Sequence, residues 1–174
     1  MKFIRETFGE VEIQPFSDEK IAKLAYRHYW DYNCEYGVIT AFNEEALYPI
    51  TYNEVKRVAR ELPHRWSAIC GAITGAFYIF ATTLPFEKAL EGAKRLVEFH
   101  NRENLPIFRG KIPNLPKAAV GSILCRDSIV NWCRAAGIHP RSMERAERCA
   151  CITADIAKRC GELVRELSEE LVRD

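Results

Sequence analysis

The 174-residue sequence lacks the usual signatures of hydrolytic and phosphate chemistry. It has no His-Glu-x-x-His run, no nucleophile elbow and no glycine-rich phosphate loop. It also has no Cys-x-x-Cys pair, the nearest cysteines in sequence being Cys149 and Cys151. No charge of one sign dominates: 25 Lys and Arg stand against 24 Asp and Glu, for a net +1. Without a basic block there is no electrostatic footprint for nucleic acid or an anionic membrane, so neither is expected as a partner. A long apolar run is missing too. The longest uncharged stretch, Trp66 to Phe86, is interrupted by Ser67, Thr74, Thr82, Thr83, Pro85 and two glycines, and reads as a buried helix with a turn. Met1 to Glu12 lacks the basic start and apolar run of a secretory signal, so a cytoplasmic setting is expected. Strand signals are sparse, and no repeat period is visible.

What is present is a composition that is 48% hydrophobic and 28% charged, enough for one core without disulfides. A single domain over 1–174 is expected. Helix signals recur along the chain. After an extended opening near Phe8 to Phe16, Ser17 caps a helix to about Tyr32, and Asn33 caps a second from Cys34 to about Ala46. Thr51 and Glu54 form a capping-box pattern, and Pro63 closes the short helix that follows. Ser67 is the expected cap of a helix apolar on every side, Ala68 to about Thr82, which belongs at the centre. Pro85 opens another helix to about Asn101. A proline-rich connection follows, with room for a short strand at Ile107 and Phe108. Ser122 is the expected cap of a helix ended by Gly137, and Pro140 and Ser142 begin the last and longest. The fold class is all-α: a bundle of six or seven helices with a short extended N-terminal segment.

Seven cysteines are many for a chain kept in a reducing compartment, and their odd number argues against a complete disulfide framework. Cys34, Cys70 and Cys125 each fall in the first turn of an expected helix. Free N–H groups and the positive end of the helix dipole there favour a thiolate and suit an anionic cluster. On the last helix Cys149 and Cys160 share a face but lie about 16 Å apart, and Cys151 is turned by about 200° from Cys149. That helix therefore supplies one ligand to any given site. Cys133, Cys151 and Cys160, mid-helix, read as packing. In Cys70-Gly71-Ala72-Ile73-Thr74-Gly75, two glycines four apart each cost about 1 kcal/mol of helix propensity, which close approach by a helix or an inorganic centre would offset.

The order of a lone Cys34, the Cys70 to Gly75 hexapeptide, Cys125 and Cys149 resembles the redox-active C_GCAxxG_C_C family. The likeness is strongest to its split-Soret cytochrome branch, through Ser122-Ile-Leu-Cys125, Ser128-Ile-Val-Asn-Trp132-Cys133, Glu147-Arg-Cys149 and Thr153-Ala-Asp155. The resemblance spans about Tyr29 to Leu163. It implies a helical homodimer that carries an iron–sulfur cluster, [2Fe-2S] or [4Fe-4S], on Cys34, Cys70, Cys125 and Cys149, with Gly71 and Gly75 beside it. An unidentified redox partner is implied as well. Split-Soret cytochromes attach haem through Cys-x-x-Cys-His, which this sequence does not contain, so no covalent haem is expected. His28, His64, His100 and His139 read as ordinary: an inward helix face, a turn, a helix end and a loop. The function expected is electron transfer or redox sensing. The alternatives are a structural zinc site on the same four sulfurs, or a thiol–disulfide oxidoreductase.

Overall fold

The computed structural model describes residues 1–173, and Asp174, the last residue of the expected domain, lies outside them. Among the described residues there are eight α-helices: α1 Lys2–Phe8, α2 Asp18–Tyr29, α3 Cys34–Ala46, α4 Tyr52–Ala59, α5 Gly71–Thr83, α6 Phe86–Arg102, α7 Cys125–Ala136 and α8 Met143–Arg173. A single 3-10 turn, His64–Ala68, lies between α4 and α5. Ser17 accepts from the Lys20 amide, Asn33 from Tyr36, and Thr51 and Glu54 form the reciprocal capping box. Gly137 ends α7 at φ 67°, a left-handed turn that glycine takes without strain.

The bundle is all-helical as expected, with differences of detail. The opening is not wholly extended, because α1 precedes the extended stretch. Seven residues with one buried side chain, Ile4, carry too little periodicity to announce a helix. Ser67 and Ser122 do not cap α5 and α7: Ser67 donates to the His64 carbonyl, and the Ser122 hydroxyl accepts from the Leu124 amide. The two helices start later, at Gly71 and Cys125, because the segments before them pair with each other. Ile69 and Leu124 form an isolated antiparallel bridge, and the Cys70 amide donates to the Ile123 carbonyl at 2.7 Å.

At the centre lies α5, buried from Ala72 to Thr82, and it packs on α1, α3, α6 and α8. The long α8 runs against α2, α3, α5 and α6. Gly71 and Gly75 are where α5 meets α3. A Cβ on Gly75 would stand 3.0 Å from the Val38 Cβ, and one on Gly71 would stand 3.0 Å from the Glu35 amide nitrogen. Both glycines therefore serve a helix–helix approach.

No strand forms at Ile107 and Phe108, because their amides are already taken. Both donate to the buried Asp155 of α8, at 2.7 and 2.8 Å. About two turns further back on α8, the Glu147 Oε1 accepts from the amides of Lys111 and Ile112 and from the Tyr26 hydroxyl. Gly110 passes so close that a Cβ would fall 2.0 Å from that oxygen, which only glycine avoids. Two carboxylates thus pin the proline-rich connection to α8, satisfying amides that would otherwise be stranded.

Candidate metal centre

Four helices deliver one cysteine each to one place. Cys34 and Cys125 are the first residues of α3 and α7, and Cys70 is the N-cap residue of α5. The stitch between Ile69–Cys70 and Ile123–Leu124 sets Cys70 beside Cys125. The glycine contact sets Cys70 beside Cys34, since a Cβ on Gly71 would lie 3.3 Å from the Cys34 Cβ. Cys149 enters from α8, and Thr153 donates to its carbonyl at 2.8 Å. Together with Ser128, Ile129, Arg148 and Ile152, the four cysteines line a cavity of about 20 Å³, the space of roughly one water. As the side chains stand, no three His, Cys, Asp or Glu groups among the described residues form a set that grips a single ion. The thiols surround a space without converging on a point.

The thiols influence one another. Cys34 and Cys70 share a hydrogen bond, which raises the Cys34 thiol, with burial acting in the same direction. Cys70 is held well below the ordinary thiol range, by that hydrogen bond first, then by His100 and the Ala72 amide, all acting against burial. Within the pair, the shared hydrogen bond favours the charged form of Cys70 and the protonated form of Cys34. Burial and the neighbouring Cys70 and Cys149 push Cys125 up to about 11, against the pull of Arg148 and Arg145. Four thiolates side by side repel, so this set calls for positive charge among them.

Some of that charge is built in. Arg148 is 2% exposed and pairs with no carboxylate. Its Nη2 donates to the Ser128 hydroxyl at 2.9 Å, its Nη1 lies 4.0 Å from the Cys149 sulfur, and its Nε has no hydrogen-bond partner. The guanidinium also sits 5.8 Å from the centre of the Trp132 ring. Behind Cys70, His100 is fully buried, with Nδ1 2.9 Å from the Asn101 side-chain oxygen and Nε2 unpartnered. Neither role is legible from sequence. His100 reads as a cation at a helix end, and Arg148 as a neighbour of Cys149. The one local signal for Arg148 is a charge directly before the uncharged run Cys149 to Ala154.

The other cysteines stay away from the cavity. Cys160 lies in the main core 3.9 Å from the Ala76 carbonyl, and Cys133 packs with Val120 and Trp132. Cys151 is 4.0 Å from Glu147, and burial followed by that carboxylate pushes it up to about 12.

A helical bundle that gathers four thiols at three helix starts and one helix flank, beside a buried cation, has the makings of a metal or redox protein. The family model described as "Putative redox-active protein (C_GCAxxG_C_C)" matches residues 32–163, and the chain belongs to that family. The hexapeptide departs from the printed pattern. The family reads Gly-Cys-Ala-x-x-Gly, whereas this chain reads Cys70-Gly71-Ala72-Ile73-Thr74-Gly75, which sets the thiol one residue earlier, at the N-cap of α5. Among curated proteins the chain is 28% identical over 162 residues to the split-Soret cytochrome c of Desulfovibrio desulfuricans, covering 84% of this chain and 57% of that relative's length. Among solved structures it matches one titled "A novel iron centre in the split-Soret cytochrome c from Desulfovibrio desulfuricans ATCC 27774". That match has a TM-score of 0.76 and 27% identity, and covers 94% of this chain and 73% of the other. No helix among the described residues is long and apolar enough to cross a membrane.

Proposed function

We propose that Cys34, Cys70, Cys125 and Cys149 hold an iron–sulfur centre through which this redox-active family member transfers or senses electrons. The observation that carries the reading is Arg148. A guanidinium buried without a carboxylate is costly, and an anionic centre on the four adjacent thiols supplies the missing counter-charge. As they stand the four thiols do not close on a single ion, and Cys125 is exposed. That favours a polynuclear centre over one zinc ion.

When bound, the centre supplies a one-electron couple. The chain does the rest. Cys70, held low among the thiols by Cys34 and then by His100, is the readiest of the four to bind as a thiolate. The N–H groups at the starts of α3, α5 and α7 offer hydrogen bonds to sulfur, and Ile129 and Ile152 keep water out. The iron centre named for the split-Soret neighbour supports iron over zinc. The test is anaerobic purification of the full chain, with a visible spectrum and assays of iron, acid-labile sulfide and zinc. Brown protein with iron and sulfide in comparable amounts is expected; colourless protein with stoichiometric zinc overturns the proposal.

A further inference from the structure

A second hollow, a cleft of about 550 Å³, opens on the other side of Cys34 and Cys125. Both residues line it and the four-thiol cavity alike, so they form the partition between the two spaces. Its volume falls within the range of roughly 300–1,000 Å³ typical of small-molecule sites.

Its chemistry is graded from rim to floor. Lys56 and Arg60, from α4 and the residue that follows it, stand at the rim, and neither pairs with a carboxylate. The Lys56 ammonium lies 5.8 Å from the centre of the Tyr52 ring and acts on the Glu35 carboxylate at longer range. Leu62, Trp66 and Ile69 supply an apolar wall, and the indole is braced at 75° against the Tyr78 ring, 5.8 Å away. At the floor is Glu35. Its Oε2 accepts from the Thr74 hydroxyl at 2.5 Å, and its Oε1 makes no hydrogen bond.

We propose that this cleft binds a small organic acid. The carboxylate sits against Lys56 and Arg60, a flat apolar body lies along Trp66 and Ile69, and a hydroxyl or N–H group at the far end donates to the Glu35 Oε1. Each part answers a group that lines the cleft: two cations outside any salt bridge, an apolar wall, and a carboxylate oxygen without a hydrogen bond. The apolar wall and the Glu35 carboxylate favour this ligand over the acidic face of a partner protein, which would answer Lys56 and Arg60 alone. A bound acid would lie against Cys34 and Cys125. That consequence rests on the iron–sulfur reading, whereas occupancy of the cleft does not.

The test titrates anaerobically purified full-length protein with 4-hydroxybenzoate and its neutral analogue 4-hydroxybenzamide by calorimetry, with iron assayed in the same samples. Saturable binding of the acid is expected, at least about tenfold tighter than the amide and weakened about tenfold or more in Lys56→Ala/Arg60→Ala. Both substituted positions are exposed, and unchanged thermal unfolding confirms that the variant is folded. Equal affinity for acid and amide, or for wild type and variant, overturns the proposal. So does absence of binding to the acid in protein whose reduction by an acidic partner protein is slowed by the same variant. Binding in samples that contain no iron supports the cleft while removing the iron–sulfur reading; iron-loaded protein that binds neither probe does the reverse.

Discussion

Cys149 and Cys160 stand on one helix and on one face of it, yet the first turns of α8 around Cys149 and its middle around Cys160 are different environments. Around Cys160 the neighbours are Ala157, Leu163, Val164 and the Ala76 carbonyl, and burial holds the thiol well above its ordinary range. Around Cys149 there are three more cysteines, a buried arginine and a serine hydroxyl. Both sulfurs are buried. Burial therefore does not separate a packing cysteine from a site cysteine; convergence of helix starts and an unbalanced cation do. The middle of α8 is complete as it stands, and its N-terminal part carries charge that calls for an anion.

The sharpest way to break this comparison is to remove the cation. In metal-free protein, Arg148→Met replaces a buried charge that no carboxylate balances, and the unfolding free energy is expected to rise by about 1–4 kcal/mol in denaturant titrations. In iron-loaded protein the same change should lower both iron content and stability. A change of the same sign in both forms would mean that Arg148 is not the counter-charge to anything at the cavity.

A smaller effect lies between the two cysteines, at Asp155. Burial raises its carboxyl from 3.8 to about 6, against the Ile107 and Phe108 amides, which favour the charged form. Between those values the folded state keeps a proton that the unfolded state has lost. The associated stability is present below 3.8 and lost as pH rises through about 6, on the order of 2–3 kcal/mol. The wild-type unfolding free energy minus that of Asp155→Asn should fall across this window. A difference that does not vary with pH would show that the carboxyl is not buried as described.

Gly75→Ala probes the approach of α5 to α3 that brings Cys70 and Cys34 together. Alanine gains about 1 kcal/mol of helix propensity. Its Cβ, however, would meet the Val38 Cβ at 3.0 Å and the Glu35 carbonyl oxygen at 3.4 Å, atoms that move only with α3 itself. Overpacking of about 1–3 kcal/mol should outweigh the gain, so the variant should melt lower. A higher melting temperature would mean that α3 yields easily and that the glycine is not needed for the contact.

Much of this was readable in sequence wherever the signal was local. Asn33 and the Thr51–Glu54 box cap their helices as their residue types require, and Cys34 and Cys125 fall at helix starts. The start of α5 was misplaced for a non-local reason. Ser67 is an adequate cap by type, but the bridge to Leu124, across more than fifty residues, holds Ile69 and Cys70 extended and delays the helix. The connection after α6 was legible as a loop. Its attachment was not, because Asp155 and Glu147 look like any acidic residues on a helix until the chain returns to them. His100 and Arg148 escaped for the same reason. Their importance comes from what lies across from them, and one sequence records neighbours along the chain only.

Whether the chemistry resides at the Cys149 part of α8 is decided by the iron content of anaerobically purified Cys149→Ser beside Cys160→Ser. Cys149→Ser is expected to lose most of its iron. Cys160→Ser should keep the wild-type amount while unfolding more easily, by about 1–3 kcal/mol for a hydroxyl placed in an apolar core. Equal iron in the two variants, or loss confined to Cys160→Ser, would contradict it.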